Sequence, residues 1–376
     1  MIHVGLNLVY LVPGETGGME TYARELIPRL ASLEGLRLTA FVNREAIERR
    51  DWPWEDLVPT ELVPVKARNR FEWARGEQQH LPRQAAAAGC DLIHSLASTA
   101  PLRGRVPRVT TIHDLNYRKV PDAHFGIRGL GMRVLVPAAA RRSRRIIVDA
   151  SSTRDDLIAE LGVKAAKVDV IPLGVGSPPV PAPDLASGIR ARFGLDDRPL
   201  VLSVSAKRPH KNLERLLRAL AAIPGDRRPL LVIPGYRTPY EETLTQLAHR
   251  LDIEDDVIWL HWVTDDELEG LYAAATCLVF PSLYEGFGLP VLEAMARGVP
   301  VATSGRASLR EVAGDAALLF DPEDVDTIRV AIERLVSDSA ERERLIAAGR
   351  DRAAEFSWER TAELTAASYR RALVDR

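Results

Sequence analysis

Short apolar runs alternate with amphipathic stretches from one end of this 376-residue chain to the other, and that alternation leaves few folds open. Ile2–Leu8, Leu38–Val42, Leu92–His94, Val109–Ile112, Ile146–Val148 and Val168–Ile171 read as a first series of buried strands. Leu200–Val204, Leu230–Ile233, Val257–Leu260, Cys277–Phe280 and Pro300–Thr303 read as a second. Helix-like segments lie between them, such as Met19–Leu33, with Met19, Tyr22, Leu26 and Leu30 along one face. Pro28 is expected to kink or shorten that helix, because it lacks the N–H of an interior turn. Strand–helix alternation of this kind predicts parallel sheets covered on both faces. The length suits two domains better than one. Leu173 to Ala186, LGVGSPPVPAPDLA, has no periodicity and reads as the boundary. The expected division is 1–175 and 176–357, with 358–376 as a closing helix. No fixed-period repeat suggests a solenoid.

Composition narrows the function classes. An apolar share of 46% with 27% charged residues describes a globular protein, and a formal charge of −2 gives no field that demands nucleic acid. Residues 1–175 carry 25 basic and 20 acidic groups and the remainder 25 and 32, so the first half is the one expected to meet an anion, random surface variation being the plain alternative. Cys90 and Cys277 lie in different halves with no metal-type spacing, which fits reduced, buried thiols in a cytoplasmic protein. No apolar run approaches the ~20 residues that span a bilayer.

Residues 281–294, PSLYEGFGLPVLEA, concentrate the chemistry. The strand-like run before them ends at Phe280, and Pro290 is expected to open a helix. Strand, glycine-rich loop and helix N-terminus together direct backbone N–H groups and the positive end of a helix dipole at one spot, which suits a phosphate. Glu285 and Glu293 flank it and suit sugar or ribose hydroxyls. The plain alternatives are a solvated carboxylate for Glu285 and a dipole-complementing one for Glu293. A capping box is excluded, since the position three residues before Glu293 is Pro290.

Other loops carry weaker signals. Pro13 to Glu20 holds Gly17 and Gly18 after the first strand, without the Gly-x-Gly-x-x-Gly fingerprint of dinucleotide binding. His113 and Asp114 follow the strand Val109–Ile112; a core histidine is the ordinary reading there, and Asp114 either orients the imidazole or caps a turn. His94 is a weaker candidate of the same kind. In SVSAKRPHKNL, Lys211 precedes a helix that Asn212 is placed to cap. The Asp-x-Asp triplet at Asp324 to Asp326 leads into a helix and reads as N-terminal capping. No His/Cys ligand cluster exists, so no metal is expected. Arg141, Arg142, Arg144 and Arg145, with Arg128 and Arg133 upstream, form the densest basic run.

The stretch from Pro281 to Val301, with TIHDL and RPHKNL, resembles the retaining glycosyltransferases of family 4, and the resemblance spans essentially the whole chain. It implies an α/β GT-B fold: two doubly wound Rossmann-like domains facing a central cleft, with the last helix crossing back to the first domain. It implies that Glu285 contacts the transferred hexose and Glu293 the ribose, that Gly286, Phe287, Gly288 and Leu289 line the donor site, and that Lys211 neutralises the diphosphate. Gly17 and Gly18 would lie near the donor phosphate, and His113 would touch the sugar. The family often has an arginine about five residues before that lysine. Ala206 stands there, leaving Lys207 or Arg208 as substitutes. His261 and Trp262 also depart from a frequent glycine near the nucleotide base. Members closest in these motifs are bacterial mannosyl- and rhamnosyltransferases that build polysaccharides or glycolipids, which implies a nucleotide-sugar donor, GDP-mannose first and a UDP-hexose second. The acceptor would be a saccharide or a lipid-linked one, met through peripheral membrane contact of the first domain at the basic run. A sugar-nucleotide epimerase and a non-catalytic donor-binding protein share the fold and are the alternatives of another class.

Overall fold

A computed structural model describes residues 1–49, 52–120, 127–176 and 184–374, with side chains of 127–130 excepted. Part of the proline-rich boundary and the side chain of Arg128 therefore lie outside what is described. The chain divides into two compact units, Met1–Gly174 with Ser357–Arg376, and Val175–Phe356.

The first unit holds seven parallel strands: β1 (Ile2–Leu8), β2 (Leu36–Val42), β3 (Thr60–Leu62), β4 (Leu92–Ser95), β5 (Arg108–Thr111), β6 (Arg145–Val148) and β7 (Val168–Val170), in the order β3-β2-β1-β4-β5-β6-β7. The second holds six: β8 (Leu200–Leu202), β9 (Leu230–Ile233), β10 (Val257–Trp259), β11 (Cys277–Phe280), β12 (Val301–Ser304) and β13 (Leu318–Phe320), in the order β10-β9-β8-β11-β12-β13. β1, β4, β6, β8, β9, β11 and β12 are buried along almost every residue, as strands covered on both faces must be. The helices supply the covering faces. In Leu213–Ala221, Leu213, Leu216, Leu217 and Leu220 are fully buried and recur at helical spacing against Val201, Leu231 and Val279 of the sheet.

The helix Gly18–Ala31 runs through Pro28 rather than stopping there. Pro28 sits in its last turn. The helix Trp358–Val374 belongs to the first unit: Trp358 and Tyr369 are buried, Tyr369 Oη lies 2.7 Å from His94 Nδ1, and Thr361 Oγ1 donates to the Pro172 carbonyl at 2.8 Å. His94 is thus a core group. Its other nitrogen meets Thr111 Oγ1 at 2.8 Å, and burial, with His113 nearby, pushes its pKa down to about 3. Cys90 and Cys277 are both buried and free of disulfides.

Where the chain leaves the first unit, Gly174 passes so close to the returning helix that a Cβ on it would lie 2.1 Å from Trp358 N. Backbone cannot yield as a side-chain tip can. Gly174→Ala should therefore cost about 2 kcal/mol through overpacking, lowering Tm by roughly 5 °C in a thermal melt. An unchanged Tm would show that this crossing has slack.

Candidate active site

In doubly wound sheets the loops beyond the carboxyl ends of the strands open a crevice where strand order reverses. In the second unit that point lies between β8 and β11. The loop after β8 and the loop after β11 are stitched together there: Leu283 N–H donates to the His210 carbonyl at 2.9 Å, and the Asn212 amide donates to the carbonyls of Pro281 at 3.0 Å and Pro322 at 2.6 Å. Asn212 does not cap its helix by a side-chain bond. It adopts φ 59°, and its amide is committed to this stitching.

The stitched loops bring Lys211 and Glu285 together. Lys211 Nζ donates to Glu285 Oε1 at 2.6 Å, with both side chains mostly buried (16% and 13% exposed). Burial alone would raise the Glu285 carboxyl. The Lys211 charge, with His210 and the hydrogen bond itself, outweighs burial and holds it below the usual range. Lys211 Nζ also stands 5.2 Å from the centre of the Phe280 ring. Ser308 Oγ donates to the Glu285 backbone carbonyl at 2.8 Å, fixing the loop from the side of β12.

The helix that follows runs Leu289–Ala296, with Gly288 before it and Pro290 in its first turn. No side chain caps it, so the dipole end faces the glycine loop unshielded. Gly286 and Phe287 are buried, the Phe287 ring edge-on to Phe356 at 5.9 Å, while Leu289 is half-buried. Glu293 accepts a hydrogen bond from Tyr272 Oη at 2.9 Å, and burial raises its carboxyl despite that bond and Arg297.

Lys207 needs correction as a phosphate contact. It is fully buried, with Nζ donating to the Gly235 carbonyl at 2.7 Å and to the Leu260 carbonyl. Burial lowers its pKa to about 8, and its ammonium ties the loops after β9 and β10 together. Arg208 is the cation left: half-buried, with no ion pair among the described residues, and one 3₁₀ turn from Lys211, whose N–H bonds the Arg208 carbonyl at 3.0 Å. His261 and Trp262 are exposed beyond β10, and the Trp262 ring lies 5.0 Å from that of Tyr236.

In the first unit the equivalent reversal lies between β1 and β4. Gly17 has φ 55° and ψ −133°, a conformation only glycine adopts readily, and it precedes the helix Gly18–Ala31 without a side-chain cap. Gly18 is exposed, with open space where a Cβ would stand. The loop is folded by Glu20, whose buried carboxylate accepts from Gly14 N–H at 2.8 Å. Neighbouring strands β4, β5 and β6 then place three groups side by side: the Leu96 carbonyl, His113 and Asp149. His113 Nδ1 meets Asp149 Oδ2 at 2.7 Å and Nε2 meets the Leu96 carbonyl at 2.9 Å. Asp114 does not orient the imidazole. Its carboxylate accepts from Asn116 N–H and Asn116 Nδ2, both at 2.9 Å, and closes a turn.

Tyr272, Ser308 and Asp149 were not singled out from the sequence, and Asn212 only as a helix cap. Each acts through a partner distant in the chain, which no local pattern announces. Asp324 accepts from Asp326 N–H at 2.9 Å and caps the helix Val325–Ser337. Among the described residues no group of three or more His, Cys, Asp or Glu could hold a metal ion, and no helix is long and apolar enough to cross a membrane. In the basic run, Arg145 pairs with Asp169, Arg144 donates to the Ala372 carbonyl, and Arg141 and Arg142 are exposed.

Family models match both units: "Glycosyltransferase Family 4" over residues 16–176 and "Glycosyl transferases group 1" over 188–352. The chain is 34% identical to O-antigen chain mannosyltransferase B of Escherichia coli over 265 residues, 70% of each chain. It is 30% identical to the D-inositol 3-phosphate glycosyltransferase of Mycolicibacterium smegmatis across 96% of this chain and 88% of that one. Among solved structures, sucrose-phosphate synthase of Thermosynechococcus elongatus superposes with a TM-score of 0.80 over 98% of each chain at 24% identity, a likeness of fold.

The Lys211–Glu285 pair yields a prediction. A depressed carboxyl contributes stability above its unfolded pKa, about 4.3, and loses it as pH falls through the folded value. Lys211→Met leaves a buried carboxylate unpaired and should cost about 3 kcal/mol near pH 7. In urea denaturation the deficit should shrink as pH falls, first because burial unopposed by Lys211 lets Glu285 of the variant take a proton above about pH 4.3, and then because wild type loses its own contribution below it. A deficit constant with pH would mean that packing, not charge, sets it.

Proposed function

The chain belongs to glycosyltransferase family 4, and from that footing we propose that it moves a hexose, mannose first, from a nucleoside diphosphate sugar to a saccharide or lipid-linked hydroxyl with retention at the anomeric carbon. The observation that carries this reading is the Lys211–Glu285 ion pair at the β8/β11 reversal, beside an uncapped helix N-terminus. A diphosphate needs a cation and N–H donors; a sugar needs an acceptor for its hydroxyls. Both stand within one salt bridge. The E. coli relative, a mannosyltransferase of an O-antigen chain, supports mannose as the sugar and polysaccharide or glycolipid assembly as the setting.

When the C1–O bond to the diphosphate breaks, negative charge grows on the departing phosphate. Lys211, Arg208 and the dipole of Leu289–Ala296 stabilise that charge by standing in place beforehand. Glu285 holds the hexose hydroxyls and Glu293, with Tyr272, the ribose. The acceptor oxygen bonds to C1 on the face the diphosphate leaves, and its proton passes to the departing phosphate oxygen. No protein nucleophile enters this scheme. His113 is the residue we assign to steadying the sugar. The charge of the leaving group is met by protein groups without a metal ion.

Thermal-shift titration should show GDP and GDP-mannose raising Tm more than UDP or UDP-hexoses. GDP-mannose should yield an α-linked product, read by the anomeric proton coupling, and transfer should persist in EDTA. Glu285→Gln should lower kcat about 10²-fold with donor binding retained. A β-linked product, chelator-sensitive transfer or a fully active Glu285→Gln would each sink the part of the reading it addresses.

A further inference from the structure

His113 has no nitrogen to spare. A carbonyl oxygen only accepts, so the 2.9 Å contact from Nε2 to the Leu96 carbonyl requires a hydrogen on Nε2. The 2.7 Å contact from Nδ1 to Asp149 Oδ2 is short, as a charge-assisted bond is, and holds one further proton. Asp149 is 2% exposed, and its Oδ1 has no hydrogen-bond partner. Nothing but the ring compensates this carboxylate's burial.

The surroundings favour the proton on the ring. Asp149 faces it from the loop after β6, and Asp114 stands on its own segment. From β4, His94, bonded to Tyr369 and Thr111, is held neutral by burial and by His113 itself. From the helix Gly18–Ala31, Tyr22 presents a ring edge 4.9 Å from the imidazole, and burial holds its hydroxyl protonated. From the helix Ser151–Leu161, Thr153 offers a hydroxyl to the His113 carbonyl at 3.5 Å. Two carboxylates therefore act on the imidazole, and no other cation in this set opposes them. Burial works against the imidazolium and also raises the Asp149 carboxyl; Asp149, the Leu96 carbonyl and Asp114 together offset burial at the ring and hold it above the ordinary histidine range.

We infer that Asp149 is a positioning residue that fixes His113 as a doubly protonated hydrogen-bond donor toward the transferred sugar, so that His113 does not serve as a general base. This rests on the proposed function for its sugar. A hydroxyl arriving at the Nε2 edge takes that N–H and returns its own proton to the Leu96 carbonyl. Every donor then keeps an acceptor, and the ring adds positive charge beside neither a base nor a nucleophile. A raised pKa gives the sign: the doubly protonated form persists below the folded value and is lost as pH rises through it.

The test uses isotope-labelled full-length protein, with Glu285 intact and His113 ring resonances assigned through H113Q. At about pH 7.5, a unit above an ordinary histidine, both ring nitrogens of wild type should carry protons, and Asp149→Asn should leave only Nε2–H. With GDP-mannose, Asp149→Asn should lower kcat about tenfold with donor KM changed less than about threefold. The alkaline limb of its kcat profile should move to lower pH. The double variant H113Q/D149N should be no slower than H113Q. A singly protonated ring in wild type overturns the inference. So does Asp149→Asn that matches wild type in rate and pH limb while H113Q is slow. If H113Q is as fast as wild type, His113 has no role at the sugar, and the ring spectrum still reports separately on the pair.

Discussion

A parallel strand can reach its neighbour only by crossing over a face of the sheet, so a sheet built outward from its middle must reverse direction once. That constraint acts twice here, between β1 and β4 and between β8 and β11. At each reversal the crossovers diverge to opposite faces, and the loops above the two central strands are left unroofed. Backbone amides, glycines and helix starts gather there because no helix of the same unit can cover them. Lys211 and Glu285 sit on the loops of β8 and β11, the two strands whose crossovers part company. Gly17 sits above β1, and the Leu96 carbonyl, His113 and Asp149 follow the next three strands in order.

Strands buried along nearly their whole length were legible in sequence: Ile2–Leu8, Leu230–Ile233 and Cys277–Phe280 agree residue for residue. Two were not. Thr60–Leu62 (TEL) is a three-residue outer strand that carries no apolar run, whereas Leu318–Phe320 (LLF), also a three-residue outer strand, ends the short apolar run AALLF with Leu319 partly exposed. The glycine loop at 285–288 announced itself through composition, whereas the groups that position its neighbours did not. Asn212 reaches Pro322 across 110 residues, and Asp149 reaches His113 across 36. Lys207 shows the limit most clearly. As a letter it is interchangeable with Lys211, yet a four-residue shift along one loop turns it inward, where two carbonyls take its protons. Sequence lists the charges of a loop; the backbone decides which of them face outward.

Pairing the Glu285 carboxylate with the Lys211 ammonium has a consequence for recognition on the proposed reading. Where Lys211 is already joined to Glu285, neither member of that pair is an unmet charge for one half of a donor. Free phosphate could draw Lys211 away, but it would strand the Glu285 carboxylate; a free hexose could bind Glu285, but it would strand the ammonium. Leaving one member of a buried pair uncompensated costs about 3–5 kcal/mol, comparable to what either fragment contributes by itself. A ligand that carries an anion and hydroxyls in one molecule replaces both partners at once. The salt bridge thus acts against nucleotide or sugar alone and in favour of the intact donor, and the same logic explains why the pair stands at the mouth of the loops and not deeper in the sheet. There its two ends can be exchanged for ligand atoms without exposing the core beneath.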